Sequence, residues 1–431
     1  MKSKTLSIFK KSIISAHPSE LFKKNFSILQ KYKLKFVHND EKKIYKIKFI
    51  SFGKSGGTMA EEFLKIIGID NVEEGIIVLP DYSKKLDLYY NNINICYSTH
   101  PFVSEKSVRA GKKVLDFADR CKEDEIVFCL ISGGGSALLS SPVEGITVKD
   151  KVKLVNKLLK MGIGEREVNI IRKKLSNIKG GSLAKKIYPA NIINLIISDE
   201  REHLLEAIAS GPTIKKQSKV TAKDIISDYG LWEVIPKRIY PLIEGKKLDD
   251  AKPYPIIRSH IIGSREDLLN GIQKFSHNLD SLIMLKKFYD NNIINVKNEL
   301  SNYYSNFYQK TFIGKHLIVA CGEVPIKIPS KNIGMGGRNQ HLTALMIEEL
   351  NKYDNFEFLA ISSDGCDFLE GVHGSVIKKS HLSKIKNLKI NINDYIANYN
   401  SYELHKQIGS LVEGPMTGTN VNDFYLFYFE K

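Results

Sequence analysis

Two positively charged residues of this sequence lie within glycine-rich segments. Lys54 follows a glycine in "FGKSGG", and Arg338 follows two glycines in "GGRNQ". An ammonium group is a compact charge that suits a phosphate, and a guanidinium can hold a phosphate or a carboxylate through two parallel hydrogen bonds. A solvent-exposed lysine is the ordinary alternative for Lys54. The two settings favour a site for an anionic ligand.

A third glycine-rich segment follows the apolar run "DEIVFCLI". It consists of Ser132, Gly133, Gly134, Gly135 and Ser136. A glycine-rich loop between a strand and a helix exposes backbone N–H groups, which bind phosphates and carboxylates. Glycine also serves close packing in such turns, so one loop alone is weak evidence. The repetition of these loops after apolar runs is what predicts a ligand.

Three carboxylates also follow apolar runs. Asp199 comes after "LIIS", Asp364 after "AISS", and Glu323 closes "VACGE". Such residues often cap the next turn. They can also bind Mg²⁺ beside phosphates, where the ion takes only one or two carboxylates. We therefore predict Asp199 and Asp364 as candidate ligands of Mg²⁺ or another divalent cation.

The common nucleotide-binding signatures are absent from the sequence. The Walker A pattern places its lysine after the second glycine, but Lys54 comes directly after the first. The segment "GMGGRN" lacks the last glycine of GxGxxG. The missing fingerprint argues against a nicotinamide-dependent reductase of Rossmann type.

The segments that must position these residues repeat one pattern, in which an apolar strand is followed by a polar turn and an amphipathic helix. Examples are "IYKIKFISF", "EEGIIVLP", "DEIVFCLI" and "NIINLIIS", and later "KHLIVACGE" and "FEFLAISS". Strands that are apolar throughout are buried on both faces, and their alternation with helices predicts a parallel sheet. We therefore predict an α/β fold with ligands at the carboxyl ends of the strands. We also expect the "SGGGS" loop to lead into a helical "ALLSS".

The chain is too long for one core, since 431 residues normally divide into at least two domains. The strand pattern loosens after residue 214, and "EVIPKRIYPLIEGKKLDDAKPYP" has the charge and proline content of an inter-domain segment. We predict two α/β domains with a cleft between them. Residues 1–245 would form the first, with a Rossmann-like parallel sheet, and residues 246–431 the second. The basic N-terminus, with apolar residues at helical spacing, predicts an amphipathic helix.

The composition of the chain argues against a nucleic-acid-binding or membrane-spanning protein. The net charge of +16 arises from lysines scattered along the chain, which is typical of a solvated surface. We find no nucleic-acid motif and no apolar run of about 18 residues that could span a bilayer. The five cysteines include no CxxC pair. These features predict a reduced, cytoplasmic protein with no nucleic-acid or membrane partner, and they leave a homodimer open.

A series of longer motifs occurs in one order along the chain. They are "GKSGGTMA", "LISGGGSALL", "PVEGIT", "RKKLSNIKGG", "LIISD", "IASGPT", "GGRNQ", "SSDG" and "TGTNVND". From the first of these to the C-terminus, the chain resembles the glycerate 2-kinases that carry a C-terminal MOFRL domain. The resemblance implies transfer of the γ-phosphoryl group of ATP to the 2-hydroxyl of D-glycerate, with a divalent metal, in a cleft between two α/β domains.

The resemblance also implies roles for individual residues. The lysine and arginine proposed as catalytic in the family fall on Lys54 and Arg338, which would face each other across the cleft. The "SGGGS" loop, Ser132 to Ser136, would hold phosphate or glycerate. The remaining residues predicted to bind substrate or nucleotide are Glu323, Gly336, Gly337 and Asn339.

Two segments depart from the family pattern. After "LIISD" the family continues with a short acidic turn that contains glycine, but this chain reads "DEREHLLEAIASGPT". The second aspartate and the glycine are absent, which weakens a metal role for Asp199. In "CGEVP", Glu323 is kept but the following threonine is not.

Alternative functions remain open from the residues alone. A hydroxypyruvate reductase would act on a molecule close in shape to glycerate, and a non-catalytic two-domain module could bind an anion without turnover. Nucleic-acid binding, which the net charge of +16 would permit, predicts a steep salt dependence and ranks last.

Overall fold

A computed structural model describes residues 3–37, 46–88, 90–214, 220–245, 253–328 and 333–431. Contacts divide the chain into two compact units. The first unit comprises Phe22–Ile262, and the second unit comprises Met1–Leu21 together with Gly263–Lys431. This division differs from the predicted boundary after residue 245 in two ways: the N-terminal segment packs within the second unit, and the first unit extends to Ile262.

The structure contains fourteen strands in its described part. They are β1 (Lys46–Phe52), β2 (Val72–Pro80), β3 (Ile93–Ser98), β4 (Glu125–Ile131), β5 (Asn191–Ile197), β6 (Ile257–Gly263), β7 (Ser281–Tyr289), β8 (Lys315–Gly322), β9 (Asn355–Ser362), β10 (Cys366–Asp367), β11 (Leu369–Glu370), β12 (Val372–Lys378), β13 (Leu411–Glu413) and β14 (Asp423–Glu430).

The same residues contain seventeen α-helices. They are α1 (Lys4–Ser12), α2 (Pro18–Lys24), α3 (Phe26–Val37), α4 (Gly56–Ile67), α5 (Glu105–Asp119), α6 (Gly135–Leu138), α7 (Val148–Lys160), α8 (Glu165–Lys174), α9 (Ser182–Ile187), α10 (Ala222–Asp228), α11 (Tyr240–Glu244), α12 (Arg265–Lys274), α13 (Ile293–Lys310), α14 (Arg338–Leu350), α15 (Lys379–Asn387), α16 (Ile392–Ala397) and α17 (Ser401–Ile408). None is long and apolar enough to cross a membrane.

The first unit is built on a six-stranded sheet in the order β3-β2-β1-β4-β5-β6. The four pairs from β3 to β5 are parallel. All seven residues of β4 are buried, as its unbroken apolar sequence predicts. This order is the Rossmann arrangement, in which the chain reverses its direction of travel between β1 and β4. The predicted α/β fold with a Rossmann-like sheet is confirmed.

A smaller apolar cluster in the first unit is formed by helices. Residues of α7, α8 and α10 pack there with Leu231, Ile235, Ile239 and Ile243, all of them buried. The charges and prolines of this segment predicted an inter-domain linker over most of its length. Its isoleucines and leucine recur at intervals of four residues, and this apolar spacing places the segment in the core. Residues 246–252 of the predicted linker lie outside the described residues.

The second unit has a mixed sheet in the order β13-β12-β9-β14-β8-β7. Only β7 and β8 pair in parallel, whereas β14 runs antiparallel to both β8 and β9. The expected parallel sheet is therefore wrong for this unit. The last strand of the chain enters the middle of the sheet, and the sequence pattern of a buried strand does not specify its direction.

The N-terminal helix belongs to the second unit. Phe9 of α1 is buried against Phe424, with ring centroids 6.1 Å apart. The Ser3 hydroxyl donates to Glu357 at 2.8 Å, and the Thr419 hydroxyl donates to the carbonyl of Ala16 at 2.6 Å. The predicted amphipathic helix is confirmed.

Two predicted helices are shorter or missing. The helix after the "SGGGS" loop ends at Leu138, so most of "ALLSS" is not helical. The segment after β5 forms turns and a single 3₁₀ turn, Ile208–Ser210, instead of an amphipathic helix. A left-handed backbone at Ala209, Ser210 and Gly211 prevents a helix there.

Candidate functional site

The two glycine loops of the first unit lie side by side at the reversal point of the sheet. Lys54 donates its backbone N–H to the carbonyl of Gly133 at 2.9 Å, and Ser55 donates its N–H to the hydroxyl of Ser132 at 3.0 Å. These bonds continue the pairing of β1 with β4 beyond the strands. The carboxyl ends of the two strands thus fix Lys54 beside the "SGGGS" loop, at the edge where Rossmann-like sheets bind ligands.

Close approach explains two of the glycines. Gly53 has φ of +115°, and a Cβ there would lie 2.2 Å from the hydroxyl oxygen of Ser132. Gly134 has φ of +82°, and a Cβ there would lie 3.0 Å from Cγ of Lys54 and 3.1 Å from Nε2 of His100. The stem of Lys54 therefore runs along Gly134. These glycines allow the two loops and the lysine to meet.

The last serine of the loop contacts residues that the sequence analysis did not select. The Ser136 hydroxyl accepts a hydrogen bond from the ammonium of Lys179 at 2.5 Å and lies 3.0 Å from the hydroxyl of Ser210. Lys179 and Ser210 belong to the "NIKGG" and "IASGPT" motifs. Those motifs contributed to the family resemblance, but no local spacing marks either residue as part of a site.

Backbone strain marks the Ser210 segment. Ala209 and Ser210 have φ of +50° and +65°, conformations that L-residues rarely adopt outside functional or tightly packed sites. Gly180 and Gly181 donate their N–H groups to the carbonyls of Ser210 and Gly211 at 3.0 and 2.8 Å. The "NIKGG" segment thus holds the strained turn against the "SGGGS" loop.

The metal role predicted for Asp199 and Asp364 stays a prediction. Asp199 is half-buried in the turn after β5, and Asp364 is buried in the second unit. One oxygen of Asp364 accepts from the Ser362 hydroxyl at 2.7 Å and from the N–H of Cys366 at 2.8 Å, which is the turn-capping alternative. Within the described ranges, no group of three or more His, Cys, Asp or Glu side chains is arranged to hold a metal ion.

Arg338 of the second unit is held by two carboxylates. Its Nε donates to the buried Asp423, and its Nη1 lies 2.8 Å from Glu323. Burial lowers the pKa of Arg338, but the carboxylates of Asp423 and Glu323 outweigh this effect. The pKa of Arg338 therefore lies well above its ordinary value. Burial also raises the pKa of Asp423. Among the described residues, no partner occupies Nη2, so this nitrogen can meet a ligand.

Strand register explains why these residues meet. Asp423, the first residue of β14, lies opposite both Gly322 at the end of β8 and Ser362 at the end of β9. The antiparallel β14 therefore begins where its two neighbours end. Glu323 directly follows β8, and Asp364 comes two residues after the end of β9, so the "CGE" and "SSDG" segments lie at one edge of this sheet.

Asp367 organises the start of α14. Its carboxylate accepts the N–H groups of Asn339 and Gln340 at 3.0 and 2.8 Å, and also bonds both side-chain amides. Burial raises the pKa of Asp367 to about 6. The carboxylate lies at the positive end of the helix and caps it. Asp367 was not among the predicted site residues, although it stands three positions after Asp364.

Three residues predicted to bind a ligand, Gly336, Gly337 and Asn339, are packed around the start of α14. Asn339 is only 1% exposed and its amide is engaged by Asp367. A Cβ at Gly337 would lie 2.0 Å from the carbonyl oxygen of Asp367, and a Cβ at Gly336 would lie 2.1 Å from the hydroxyl of Ser401. These contacts favour a role in holding Arg338 and α14 in place over direct contact with a ligand.

Family comparisons agree with this architecture. A family model described as a domain of unknown function, DUF4147, matches residues 4–244, and the MOFRL family model matches residues 316–423. The chain is 31% identical over 394 residues to the glycerate 2-kinase of Pyrococcus horikoshii, covering 88% of this chain and 87% of that protein. It is 30% identical over 434 residues to the glycerate 2-kinase of Picrophilus torridus, covering 100% and 97%.

A solved structure has the same fold. The crystal structure of glycerate kinase from Thermotoga maritima superposes with a TM-score of 0.81 at 24% identity, covering 99% of this chain and 98% of that one. The likeness extends over both units, including the mixed sheet of the second.

Proposed function

Because this chain belongs to the glycerate 2-kinase family, with its DUF4147 and MOFRL domains, we propose that it phosphorylates D-glycerate. The proposed donor is ATP, and the proposed products are 2-phospho-D-glycerate and ADP. The 2-hydroxyl oxygen forms a bond to the γ-phosphorus, the bond from that phosphorus to the bridging oxygen breaks, and the hydroxyl proton is released.

One observation carries the proposal within the first unit. Lys54 is held beside the "SGGGS" loop by a backbone hydrogen bond from its own N–H to Gly133, at the reversal point of a Rossmann-like sheet. Phosphoryl transfer needs positioning and neutralisation of charge more than covalent chemistry. An ammonium group, the hydroxyl of Ser136 and the loop supply both to an anionic substrate.

Arg338 supplies the second cation in this proposal. Asp423 and Glu323 fix the plane of its guanidinium through Nε and Nη1, and its side chain remains 31% exposed. A guanidinium fixed in this way can donate from Nη2 to a phosphoryl oxygen or a carboxylate without losing side-chain freedom on binding. We assign Glu323 and Asp423 to positioning Arg338.

A divalent metal is not assigned to protein ligands. When bound to ATP, Mg²⁺ neutralises phosphate oxygens and keeps several waters. One carboxylate oxygen of Asp364 is engaged in its own turn, and the described residues contain no group of three or more His, Cys, Asp or Glu side chains that could hold a metal ion. The steps proposed here therefore use only Lys54, Arg338 and the "SGGGS" loop.

Phosphorus NMR tests the proposed reaction. The full chain is incubated with ATP, MgCl₂ and D-glycerate, and the product is identified by its phosphorus resonance against authentic 2- and 3-phosphoglycerate. We expect 2-phosphoglycerate and stoichiometric ADP. The 3-isomer would overturn the assigned hydroxyl, and an unchanged ATP spectrum would overturn the kinase. Oxidation of NADH with hydroxypyruvate would instead favour the reductase.

Substitution of Lys54 tests its role in that assay. Losing a charge that contacts the transferring group is expected to lower kcat by about 10²–10³ in Lys54→Ala. The matched control is Lys106→Ala, which removes a lysine of the same unit whose ammonium pairs with Asp81 at the surface. Turnover of Lys54→Ala equal to that of the control would remove Lys54 from the mechanism.

A further inference from the structure

Lys179 is a buried lysine next to the "SGGGS" loop. The residue is only 3% exposed, and its ammonium donates to the hydroxyl of Ser136 at 2.5 Å. Ser136 precedes it by 43 positions in the chain. Lysines are almost never buried to this extent unless a carboxylate pairs with them, so the surroundings of this ammonium decide what it does.

In the part of the chain that the structure describes, this ammonium has no carboxylate partner. Across the described part of the chain, no carboxylate forms an ion pair with Lys179, and the charged groups that act on it are Lys151, Arg172 and Lys173. Burial, and then these three cations, lower the pKa of Lys179 well below its ordinary value. An uncompensated cation in such a place is costly. A negatively charged ligand would offset the cost.

Two hydroxyl groups connect this lysine to solvent. Ser136 and Ser210 are both half-buried, and their oxygens lie 3.0 Å apart. Lys179 donates to Ser136, and one of the two hydroxyls donates to the other, so one hydroxyl proton of the pair remains for a ligand. Ser210 is held there by a left-handed backbone, with φ of +65°. Conformations of this kind persist where the surrounding structure requires them.

We propose that Ser136, Ser210 and Lys179 form a subsite for an oxyanion of the substrates. One hydroxyl of the pair donates to the anion, the other donates to that first hydroxyl, and the ammonium behind Ser136 supplies the balancing charge. The ligand chemistry is a carboxylate or phosphate oxygen, which glycerate and ATP respectively supply. This inference deepens the proposed kinase function and rests on it for the identity of the ligands.

Lys151 provides an internal comparison. It is also buried, at 8% exposure, but its ammonium donates to the backbone carbonyl of Leu175 at 3.2 Å and contacts no side chain of the loop. Burial lowers the pKa of Lys151 to about 8. The two lysines thus resemble each other in burial and differ in their partner, so Lys151→Met is a matched control for Lys179→Met.

Calorimetric titration without turnover tests the subsite. D-glycerate, inorganic phosphate and ADP are each titrated into the wild type, Lys179→Met, Ser210→Ala and Lys151→Met. We expect Lys179→Met and Ser210→Ala to weaken one class of ligand by about tenfold or more, as for loss of a charge-assisted hydrogen bond. Lys151→Met, which keeps the contact between Lys179 and Ser136, should change the dissociation constants by less than either. Weaker glycerate binding identifies a carboxylate subsite, and weaker phosphate and ADP binding identifies a phosphate subsite.

Other outcomes would overturn the proposal. Unchanged dissociation constants in a cooperatively folding Lys179→Met would do so, and if that variant does not fold, unchanged constants in Ser210→Ala would do so. If Lys151→Met weakened ligand binding as much as Lys179→Met, the loss would be a general effect of removing a buried lysine, and the subsite would be refuted. Because binding is measured directly, a chain that binds through Lys179 but produces no phosphoglycerate would refute the kinase and keep the subsite.

Discussion

The two cations selected from the sequence occupy different environments. Lys54 is placed by its backbone, which bonds to Gly133, while Arg338 is placed by its side chain, which bonds to Glu323 and Asp423. The two acceptors fix the guanidinium of Arg338 in its plane. At the residue scale, geometry should therefore matter more at Arg338 than charge alone.

The substitution Arg338→Lys tests this distinction. Lysine keeps the positive charge, but a single ammonium cannot bond Asp423 through one nitrogen, Glu323 through a second and a ligand through a third. We expect kcat to fall by about 10²–10³. The control is Arg120→Lys, an arginine on Glu74 at the surface of the first unit. Near-normal kcat in Arg338→Lys would show that charge suffices.

At the element scale, the start of α14 depends on a buried network. Asp367 caps the helix, and the Gln340 carbonyl within the first turn lies 2.8 Å from Nε2 of His405 in α17. Nδ1 of the same ring lies 2.7 Å from the Ser410 hydroxyl. The ring is fully buried, so it can donate to the carbonyl from Nε2 and accept from the hydroxyl at Nδ1 only while neutral.

The stability of this network should depend on pH. Burial lowers the pKa of His405 to about 4, while an unfolded histidine titrates near about 6.5. Below about 6.5 the unfolded chain binds a proton at this histidine that the folded chain does not bind. The contribution of His405 to the free energy of unfolding is therefore present above about 6.5 and lost as pH falls towards 4. By linkage this loss is on the order of 2 kcal/mol between pH 7 and pH 5. Urea unfolding at the two pH values measures it.

A pair of variants isolates the histidine. His405→Gln should reduce the difference in unfolding free energy between the two pH values by that amount, whatever its absolute stability. His277→Gln, at an exposed histidine of the same unit, should keep the wild-type difference. An equal pH dependence in both variants would assign the effect to other groups.

Some contacts between elements could be predicted from the sequence, and others could not. The ends of β1 and β4 were predictable as one edge, because parallel strands end together, and this brings Lys54 to the "SGGGS" loop. The contact of Lys179 with Ser136 spans 43 residues and follows no local period. The cap by Asp367 joins residues 28 positions apart, and the pairing of Asp423 with Arg338 requires the antiparallel β14, whose direction is a tertiary property.

At the scale of the whole molecule, the two units differ in how far their sheets could be predicted from the sequence. The first unit has a parallel sheet in Rossmann order, so strand apolarity and glycine turns were enough to predict it. The second unit inserts its last strand between β8 and β9 and adds the first helix of the chain to its core. Both features join distant parts of the chain, which a pattern read in short windows cannot detect.

Thiol labelling checks the packing of both units together. Cys96, Cys121, Cys129 and Cys321 are buried, and burial raises the pKa of Cys121 to about 12 and that of Cys321 to about 11. Only Cys366 is half-buried. Since the thiolate is the reactive form, a disulfide reagent at pH 8 should modify no more than one thiol per chain in native buffer and all five in denaturant. The variant Cys366→Ser should abolish the native reaction, and rapid modification of a second thiol would contradict the buried placement of the other four.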